Sequence, residues 1–368
     1  MKIIKLNNQN YQKTVQQAVD ALKTGGLVIF PTETVYGIGA DATNSTAINK
    51  LLDYKSRREG KPLSIAVVDQ SMANKYVELN DQAKNLYRRF LPGPYTVVSR
   101  YKKGLAAGVA SEFNTLGIRI PDHKLVIKMV KKLGQPITAT SANASGKKRP
   151  YTIDDILNNL SHKQKNLIDL IIDAGKLPPN EPSIVIDTTL STPLTLRGNQ
   201  EVFSMTKSSN NSLTQTFEEK TVKLVSNSEN ETQEIAGKLL LKHWDDLSQN
   251  GLVIGLDGEL GAGKTVFTKG LARFLNISSI INSPTYSYVK EYDYVRHQVE
   301  GKLFHIDLWK VDDPQAIQEL QIPALISPNH LIVIEWWSQL KNSFTQLKTD
   351  LNIYLEVIAK NKRSLTIK

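Results

Sequence analysis

Short apolar runs alternate with stretches of helical periodicity along most of this chain. In the first half, strand-like runs fall at Leu27–Phe30, Ile65–Val68, Thr96–Ser99, Leu116–Ile120 and Ser183–Asp187. Between them, apolar residues spaced three or four apart predict helices over Tyr11–Lys23, Ser45–Tyr54, Asp81–Phe90, Lys124–Leu133 and Thr152–Asn159. That alternation predicts a mixed α/β domain. Further on, the pattern gives a strand at Val222–Val225, a helix from Glu231 to about Leu247, and a strand at Leu252–Leu256. A glycine-rich turn follows, then a helix from Lys264 to about Leu275 and strands at Leu303–Ile306 and Leu331–Ile334. This second series predicts a three-layer α/β fold with a largely parallel sheet.

The two series are separated by Ser204–Lys220, SMTKSSNNSLTQTFEEK, a tract rich in Ser, Asn, Thr and charge that reads as a flexible linker. With 368 residues, two domains are the natural expectation. The boundaries expected are 1–204 for the first, 205–220 for the linker and 221–368 for the second. GKKRP at Gly146–Pro150 reads as a local basic loop, because strand-like runs resume after it. Charge changes at the same tract. Residues 1–206 hold 28 Lys and Arg against 17 Asp and Glu, a net of +11, whereas 207–368 hold 18 against 19, a net of −1. The basic first half fits an anionic ligand such as nucleotide or tRNA phosphate, and solubility alone would also account for it.

Cysteine is absent, which excludes disulfides and thiolate zinc sites, and the six histidines show no metal-ligand spacing. The opening MKIIKLNNQNYQK has no apolar signal-peptide core. The apolar runs are far shorter than the roughly 20 residues that span a bilayer. A cytoplasmic protein without membrane association is the expectation.

Gly258–Thr265 reads GELGAGKT, a full match to a phosphate-binding loop, with an apolar run before it and a helical pattern after it. Gly258, Gly261 and Gly263 permit the tight turns that aim main-chain N–H groups at phosphates; Glu259, Leu260 and Ala262 fill the loop between them. Lys264 supplies a point charge for the β- and γ-phosphates, and Thr265 a hydroxyl for Mg²⁺. Hydrolysis also needs acidic groups near the metal. Asp307 after LFHI and Glu335 after LIVI stand at the ends of apolar runs and are candidates for direct or water-mediated metal contact. Either can equally be a simple strand-end carboxylate. Trp336 and Trp337 follow Glu335 and suit stacking on a base or a partner as well as edge packing. NKRS at 361–364 lacks the Asp of a guanine-reading motif.

The first half has no such loop. Polar clusters instead end its apolar runs: PTETVYG at 31–37, Lys55-Ser56-Arg57-Arg58 with Lys61 soon after, IRIPDH at 118–123, Thr140–Asn143 with Ser145-Gly146 behind it, Pro182-Ser183, and Leu196-Arg197-Gly198. Each alone reads as a solvated face or a turn. Together they hold what an adenylating enzyme needs: cations for a triphosphate, an Arg to clamp a carboxylate, and hydroxyls and amides to position both. Arg119, alternating with Ile118 and Ile120, points to the face opposite them, into solvent or a cleft.

In order and spacing, GELGAGKT, SPTYS at 283–287, HIDLW at 305–309 and IEWW at 334–337 resemble the TsaE family, small P-loop ATPases of threonylcarbamoyladenosine synthesis. The resemblance covers about Thr221–Lys368. It implies a switch-like segment at Ser283–Tyr286, with Ser283 and Thr285 near the γ-phosphate, acidic roles for Asp307 and Glu335, and Mg²⁺ on Thr265. It further implies a regulatory ATPase cycle with TsaD- and TsaB-like transferase partners, and indirect or weak dealings with tRNA. PTETVYGIGADA, KSR, KPLSIAV, LPGPYTVV, GIRIPDH, SANASG, PSIVID and LRGN occur in the order seen in the YrdC-like threonylcarbamoyl-AMP synthases, over about residues 1–204. Family members commonly carry Pro where this chain has Arg58.

That resemblance implies an open, twisted, mixed sheet with a concave basic face. It implies that Lys55, Arg57 and Lys61 hold phosphates, that Ser141, Asn143 and Arg197 help hold ATP, and that Thr32, Arg119 and Ser183 hold threonine. The implied reaction joins L-threonine, bicarbonate and ATP into threonylcarbamoyl-adenylate with release of pyrophosphate, Mg²⁺ on the triphosphate, and Lys55 and Arg57 as the stabilising charges. Two ATP sites would then share one chain. Two rival readings differ in class: an RNA-binding first half driven by a remodelling motor, against which the lack of an aromatic-rich basic stripe argues, and a small-molecule kinase in the second half.

Overall fold

The computed structural model describes residues 1–55, 63–143, 147–198, 221–284, 288–309, 311, 314–340 and 348–368. The chain divides into two compact units, Met1–Thr189 with Pro193–Met205, and Leu190–Thr192 with Thr206–Lys368. The expected linker, 205–220, lies outside the described residues.

The first unit is mixed α/β, as its alternation predicts, but builds two sheets rather than one. The first runs Lys2–Lys5, Ile168–Asp173, Leu27–Phe30, Gly37–Gly39, Thr140–Ser141; its first two pairings are parallel and its last two antiparallel. The second runs Leu194–Arg197, Ile184–Asp187, Tyr95–Tyr101, Thr115–Arg119, Ser64–Ala66, Ile137–Thr138, with Val77–Glu78 beside Tyr95–Tyr101. Helices form where an apolar stripe recurs. Tyr11–Lys23 buries Val15, Ala18, Val19 and Leu22. Lys124–Leu133 buries Leu125, Val126, Met129 and Val130, and ends on Gly134 at φ 77°, a left-handed cap that suits a residue without Cβ. The predicted helix at Thr152–Asn159 is shorter, Ile153–Leu157, entered through a capping box of Thr152 and Asp155.

The second unit holds one sheet in the order Val222–Ser226, Lys362–Ile367, Leu351–Ala359, Leu252–Asp257, His330–Glu335, Val299–Asp307, Val289–Arg296. Only the three central pairings are parallel; the outer pairings on both sides are antiparallel, so the expectation of a largely parallel sheet is corrected to a mixed one. Val289–Arg296 and Lys362–Ile367 mix apolar and polar residues, and they give no continuous apolar run to read. The long helix expected from Glu231 breaks in two, Glu229–Lys242 and Trp244–Asn250, at a His243 that leaves helical geometry. The break seats Trp244 in the core, edge-on to Phe274 at 5.7 Å. Gly270 explains the close approach of Lys264–Phe274 to Glu229–Lys242, since a Cβ there would lie 2.5 Å from the Gln233 backbone. Val253, Phe304, Ile306, Ile332, Ile334 and Trp337 form a cluster with Ile317 and Ile322 from the short helices at Pro314–Glu319 and Ile322–Leu325.

Candidate active sites

In the first unit, the Thr115–Arg119 strand carries Gly117 and Arg119 on one face, two residues apart. Gly117 has to be glycine: a Cβ would come within 2.8 Å of Ser64 Oγ and 3.0 Å of the Thr96 methyl. The Ser64 and Thr96 side chains therefore pack directly against the Gly117 backbone. Beyond Thr96 stands Ser183, whose hydroxyl accepts from Thr96 Oγ1 at 3.5 Å and from Arg197 Nη2 at 2.7 Å. Arg197 Nε also donates to the Ser183 carbonyl at 2.9 Å.

Arg119 is buried, 8% exposed, so its charge needs partners. It finds them in the 31–37 loop rather than in its neighbour Asp122. Nη2 donates to Glu33 Oε1 at 2.6 Å and to Thr34 Oγ1 at 3.1 Å. Thr32 organises that loop. Its hydroxyl accepts from the amides of Thr34 and Val35 at 3.1 and 3.2 Å and donates to the Val35 carbonyl at 2.6 Å. Asn180 holds the Glu33 carbonyl at 2.8 Å. His123 closes the same neighbourhood. Burial pushes its pKa below the ordinary histidine value, against the upward pull of the Glu33 and Asp122 charges.

Lys55 ends its helix almost wholly buried, and its ammonium donates to the carbonyls of Ser141 and Asn143 at 2.8 and 2.6 Å. The adjacent Tyr54 hydroxyl donates to the Ala142 carbonyl. The helix end thus clamps the 141–143 segment. Asn143 Nδ2 donates to the Lys147 carbonyl at 2.6 Å, and its Oδ1 is buried with no partner among the described residues. Arg57 and Lys61 lie outside the described residues.

In the second unit, the loop after Leu252–Asp257 turns through Gly258, Gly261 and Gly263 at φ 137°, 79° and 107°. Any side chain on Gly258 is excluded, because its Cβ would fall 2.2 Å from the Leu355 carbonyl oxygen. Ala262 is buried inside the loop, while Glu259 and Leu260 are exposed on its outside. Lys264 Nζ donates to the carbonyls of Gly258 and Glu259 at 2.7 and 3.0 Å and sits 3.7 Å from the Trp336 ring centre. Burial lowers the Lys264 pKa, opposed by the charges of Glu335, Asp307 and Asp257. Trp309 packs on the same Trp336 at 4.4 Å. The tryptophan pair therefore divides its work: Trp336 lies at the site and Trp337 in the core.

Both acidic candidates reach this site. Asp307 and Glu335 end adjacent parallel strands and are paired in register. Glu335 Oε1 accepts from Thr265 Oγ1 at 3.0 Å and meets His305 Nε2 at 2.8 Å, both carboxylate and imidazole being buried. Asp307 accepts from the Ser283 hydroxyl and, at 3.0 Å, from the Trp309 amide. One hydroxyl and two carboxylates form a hard-oxygen donor set that fits Mg²⁺, which commonly takes one or two carboxylates and completes its shell with phosphate and water. Among the described residues no cluster of three His, Cys, Asp or Glu offers an all-protein cage. Thr285 lies outside the described residues.

The structure brings together Arg119 with Thr34 of the 31–37 loop, Ser183 with Arg197, Lys55 with Ser141 and Asn143, and Thr265 with Glu335. Glu33, Thr34, Ser64, His123 and His305 escaped the sequence reading as individuals. All five sit inside the motifs singled out above, and a polar residue at the end of a buried run was the signal available.

The two units define a class, an α/β nucleotide-handling domain joined to a P-loop domain. Residues 20–198 match the Sua5/YciO/YrdC family model, described as telomere recombination, and residues 226–365 match the model for threonylcarbamoyl adenosine biosynthesis protein TsaE. The chain is 38% identical over 149 residues to the threonylcarbamoyl-AMP synthase of Vibrio vulnificus, covering 40% of this chain and 80% of that protein. It is 34% identical over 185 residues to that of Bacillus subtilis, covering 50% of this chain and 52% of that protein. Against the Pyrococcus abyssi synthase it is 32% identical over 196 residues, or 53% of this chain, and again spans only about half of the relative, 56%. A structure of a double variant of P. abyssi Sua5 matches with TM-score 0.52 at 25% identity, over 75% of this chain and 74% of that one. P. abyssi Sua5 complexed with L-threonine shares the fold, with TM-score 0.52 at 20% identity over 91% and 92% of the two chains. The chain belongs to the threonylcarbamoyl-AMP synthase family through its first half, fused to a TsaE-family domain in its second. Among the described residues no helix is long and apolar enough to cross a membrane.

Proposed function

We propose that the first unit condenses L-threonine, bicarbonate and ATP into threonylcarbamoyl-adenylate and pyrophosphate. In this reading the domain spans 1–204, followed by a linker at 205–220 and an ATPase domain at 221–368. Family membership supports the reaction, and the related P. abyssi protein was solved complexed with L-threonine. The observation that carries the reading is Arg119. Its buried guanidinium, held in place by Glu33 and Thr34 through Nη2, is a fixed cation suited to a substrate carboxylate. Thr32 shapes the loop that flanks it, and Ser183 is held in place by Arg197. The threonine amine and bicarbonate form a carbamate, whose oxygen attacks the α-phosphate while pyrophosphate leaves. Lys55 keeps Ser141 and Asn143 in place for ATP, and Arg57 and Lys61 add cationic charge for the triphosphate. Such catalysis rests on positioning and charge stabilisation.

The second unit is read as a second ATP site. Main-chain amides from Gly258 to Thr265 and the Lys264 ammonium bind the phosphates, with Ser283 and Thr285 near the γ-phosphate. Thr265, Asp307 and Glu335 would hold Mg²⁺, which supplies charge neutralisation for the phosphates. Its hydrolysis cycle would support transfer of the threonylcarbamoyl group to tRNA by TsaD- and TsaB-like partners in the cytoplasm. The test is incubation with labelled threonine, bicarbonate and ATP, followed by mass detection of the adenylate. Threonine-dependent pyrophosphate release with the adenylate is expected; salt-sensitive RNA binding without either product would overturn the synthase reading.

A further inference from the structure

His305 interrupts the apolar run Leu303–Ile306 at a strand position wholly shielded from solvent. Its strand lies between His330–Glu335 and Val289–Arg296, and Asp307 follows two residues later on the same face. The imidazole reaches a carboxylate of the second ATP site, Nε2 meeting Glu335 Oε1 at 2.8 Å. A carboxylate accepts, so Nε2 carries the proton and donates. Nδ1 is then a bare acceptor, buried with no partner among the described residues. Such an orphan costs stability, and an aliphatic residue would fill the position without that cost.

The contact that His305 makes fixes how Glu335 is presented. Oε1 accepts from His305 and, at 3.0 Å, from Thr265 Oγ1. Oε2 lies 3.4 Å from that same hydroxyl, whose single proton is already given to the nearer oxygen. Two donors thus saturate Oε1 and leave Oε2 to act. The Thr265 hydroxyl, giving its proton to Glu335, keeps its lone pairs for another partner. A carboxylate pinned in this way serves a cation through one oxygen. Mg²⁺ demands a near-ideal octahedron, into which the narrow bite of a two-oxygen carboxylate does not fit; Ca²⁺ accepts carboxylates through one oxygen or both, in a larger and looser shell.

We infer that His305 is a positioning residue of the second ATP site, holding Glu335 to one-oxygen service and thereby favouring Mg²⁺ over Ca²⁺. This deepens the reading of that site as one for metal and ATP, and rests on it. The opposing role is purely structural, a polar tie between two adjacent strands. The two differ in what they move, because loss of a tie weakens the fold and leaves the preference between the cations as it was.

The experiment is calorimetric titration of the full chain with a non-hydrolysable ATP analogue at rising Mg²⁺ or Ca²⁺. The binding that Lys264→Ala removes belongs to the second unit, and only that component is compared. His305→Asn keeps a polar amide but ends near the place of Nδ1, short of Glu335, whereas His305→Gln carries a donor nearly as far as Nε2. The expected result is a rise of about tenfold to a hundredfold in half-saturating Mg²⁺ for His305→Asn, with the Ca²⁺ value unchanged or lower. His305→Gln should restore most of the Mg²⁺ response, and His305→Leu takes the place of His305→Asn if that variant fails to fold. Equal losses for the two cations, no loss for either, or a glutamine that restores nothing would overturn the inference and leave the ATP-site reading standing. No Lys264-dependent binding of the analogue by the unaltered chain would overturn the ATP-site reading itself, and this inference with it.

Discussion

Replacing Arg119 by Lys tests whether its buried charge serves the substrate or only the fold. In the structure the guanidinium spends Nη2 on Glu33 and Thr34. The rest of the guanidinium is the donor set that a bound carboxylate would use. A lysine ammonium is a single point without the fork. It can replace the Glu33 contact and preserve charge balance, but it cannot also present a second coplanar donor to substrate. The loss is about one charge-assisted hydrogen bond, ~1.5–3 kcal/mol. That corresponds to a rise of about tenfold to a hundredfold in the apparent KM for threonine. The ATP KM should change much less, because the hydrogen bonds of Arg119 go to Glu33 and Thr34 rather than to the ATP-holding residues inferred here, Lys55, Ser141, Asn143 and Arg197. The assay is initial-rate pyrophosphate release with each substrate varied in turn. A variant with unchanged threonine KM and a lowered melting temperature would show that Arg119 is only the structural partner of Glu33.

Lys264→Ala should abolish ATP hydrolysis by the second unit yet spare threonylcarbamoyl-adenylate formation; loss of both activities in one mutant would refute two independent nucleotide sites. Lys55→Met should depress both adenylate formation and melting temperature. It strips a charged donor from two carbonyls, at about 1–3 kcal/mol for each buried group left unpaired, and normal stability by thermal denaturation would count against the clamp. His123 supplies a pH test. Burial lowers its folded pKa below 6.5, so the unfolded chain takes up its proton first as pH falls. Its contribution to stability is intact well above 6.5, declines as pH drops through 6.5, and levels off below the folded pKa. His123→Gln should therefore melt with a smaller loss between pH 7.5 and 5.5 than the unaltered chain; equal losses would place the titrating group elsewhere.

Local patterns made much of this protein legible. The helices Tyr11–Lys23, Asp81–Phe90 and Lys124–Leu133 appear with the bounds their periodicity gives, because one apolar stripe at helical spacing buries only as a helix. The phosphate loop was equally plain, since its glycines are demanded by local φ angles and by one close carbonyl. Partners far apart in sequence were not legible. The strands Val289–Arg296 and Lys362–Ile367 alternate their polarity, and only neighbours across the sheet make them strands. The break at His243 coincides with the seating of Trp244 against Phe274 in the core, which the helical period does not encode. Asp122 stands three residues from Arg119 in sequence, yet the fold supplied Glu33, 86 positions away. Likewise Asp307 and Glu335 were visible as carboxylates ending apolar runs, but their pairing in register, and the buried His305 holding one of them, required the sheet. Sequence alone determined the elements and the chemical groups at their ends, because those depend on neighbours a few residues away. Tertiary structure alone decided which groups face each other, because burying a charge is tolerable only beside a partner, and the partner comes from whichever strand or loop the packing brings near.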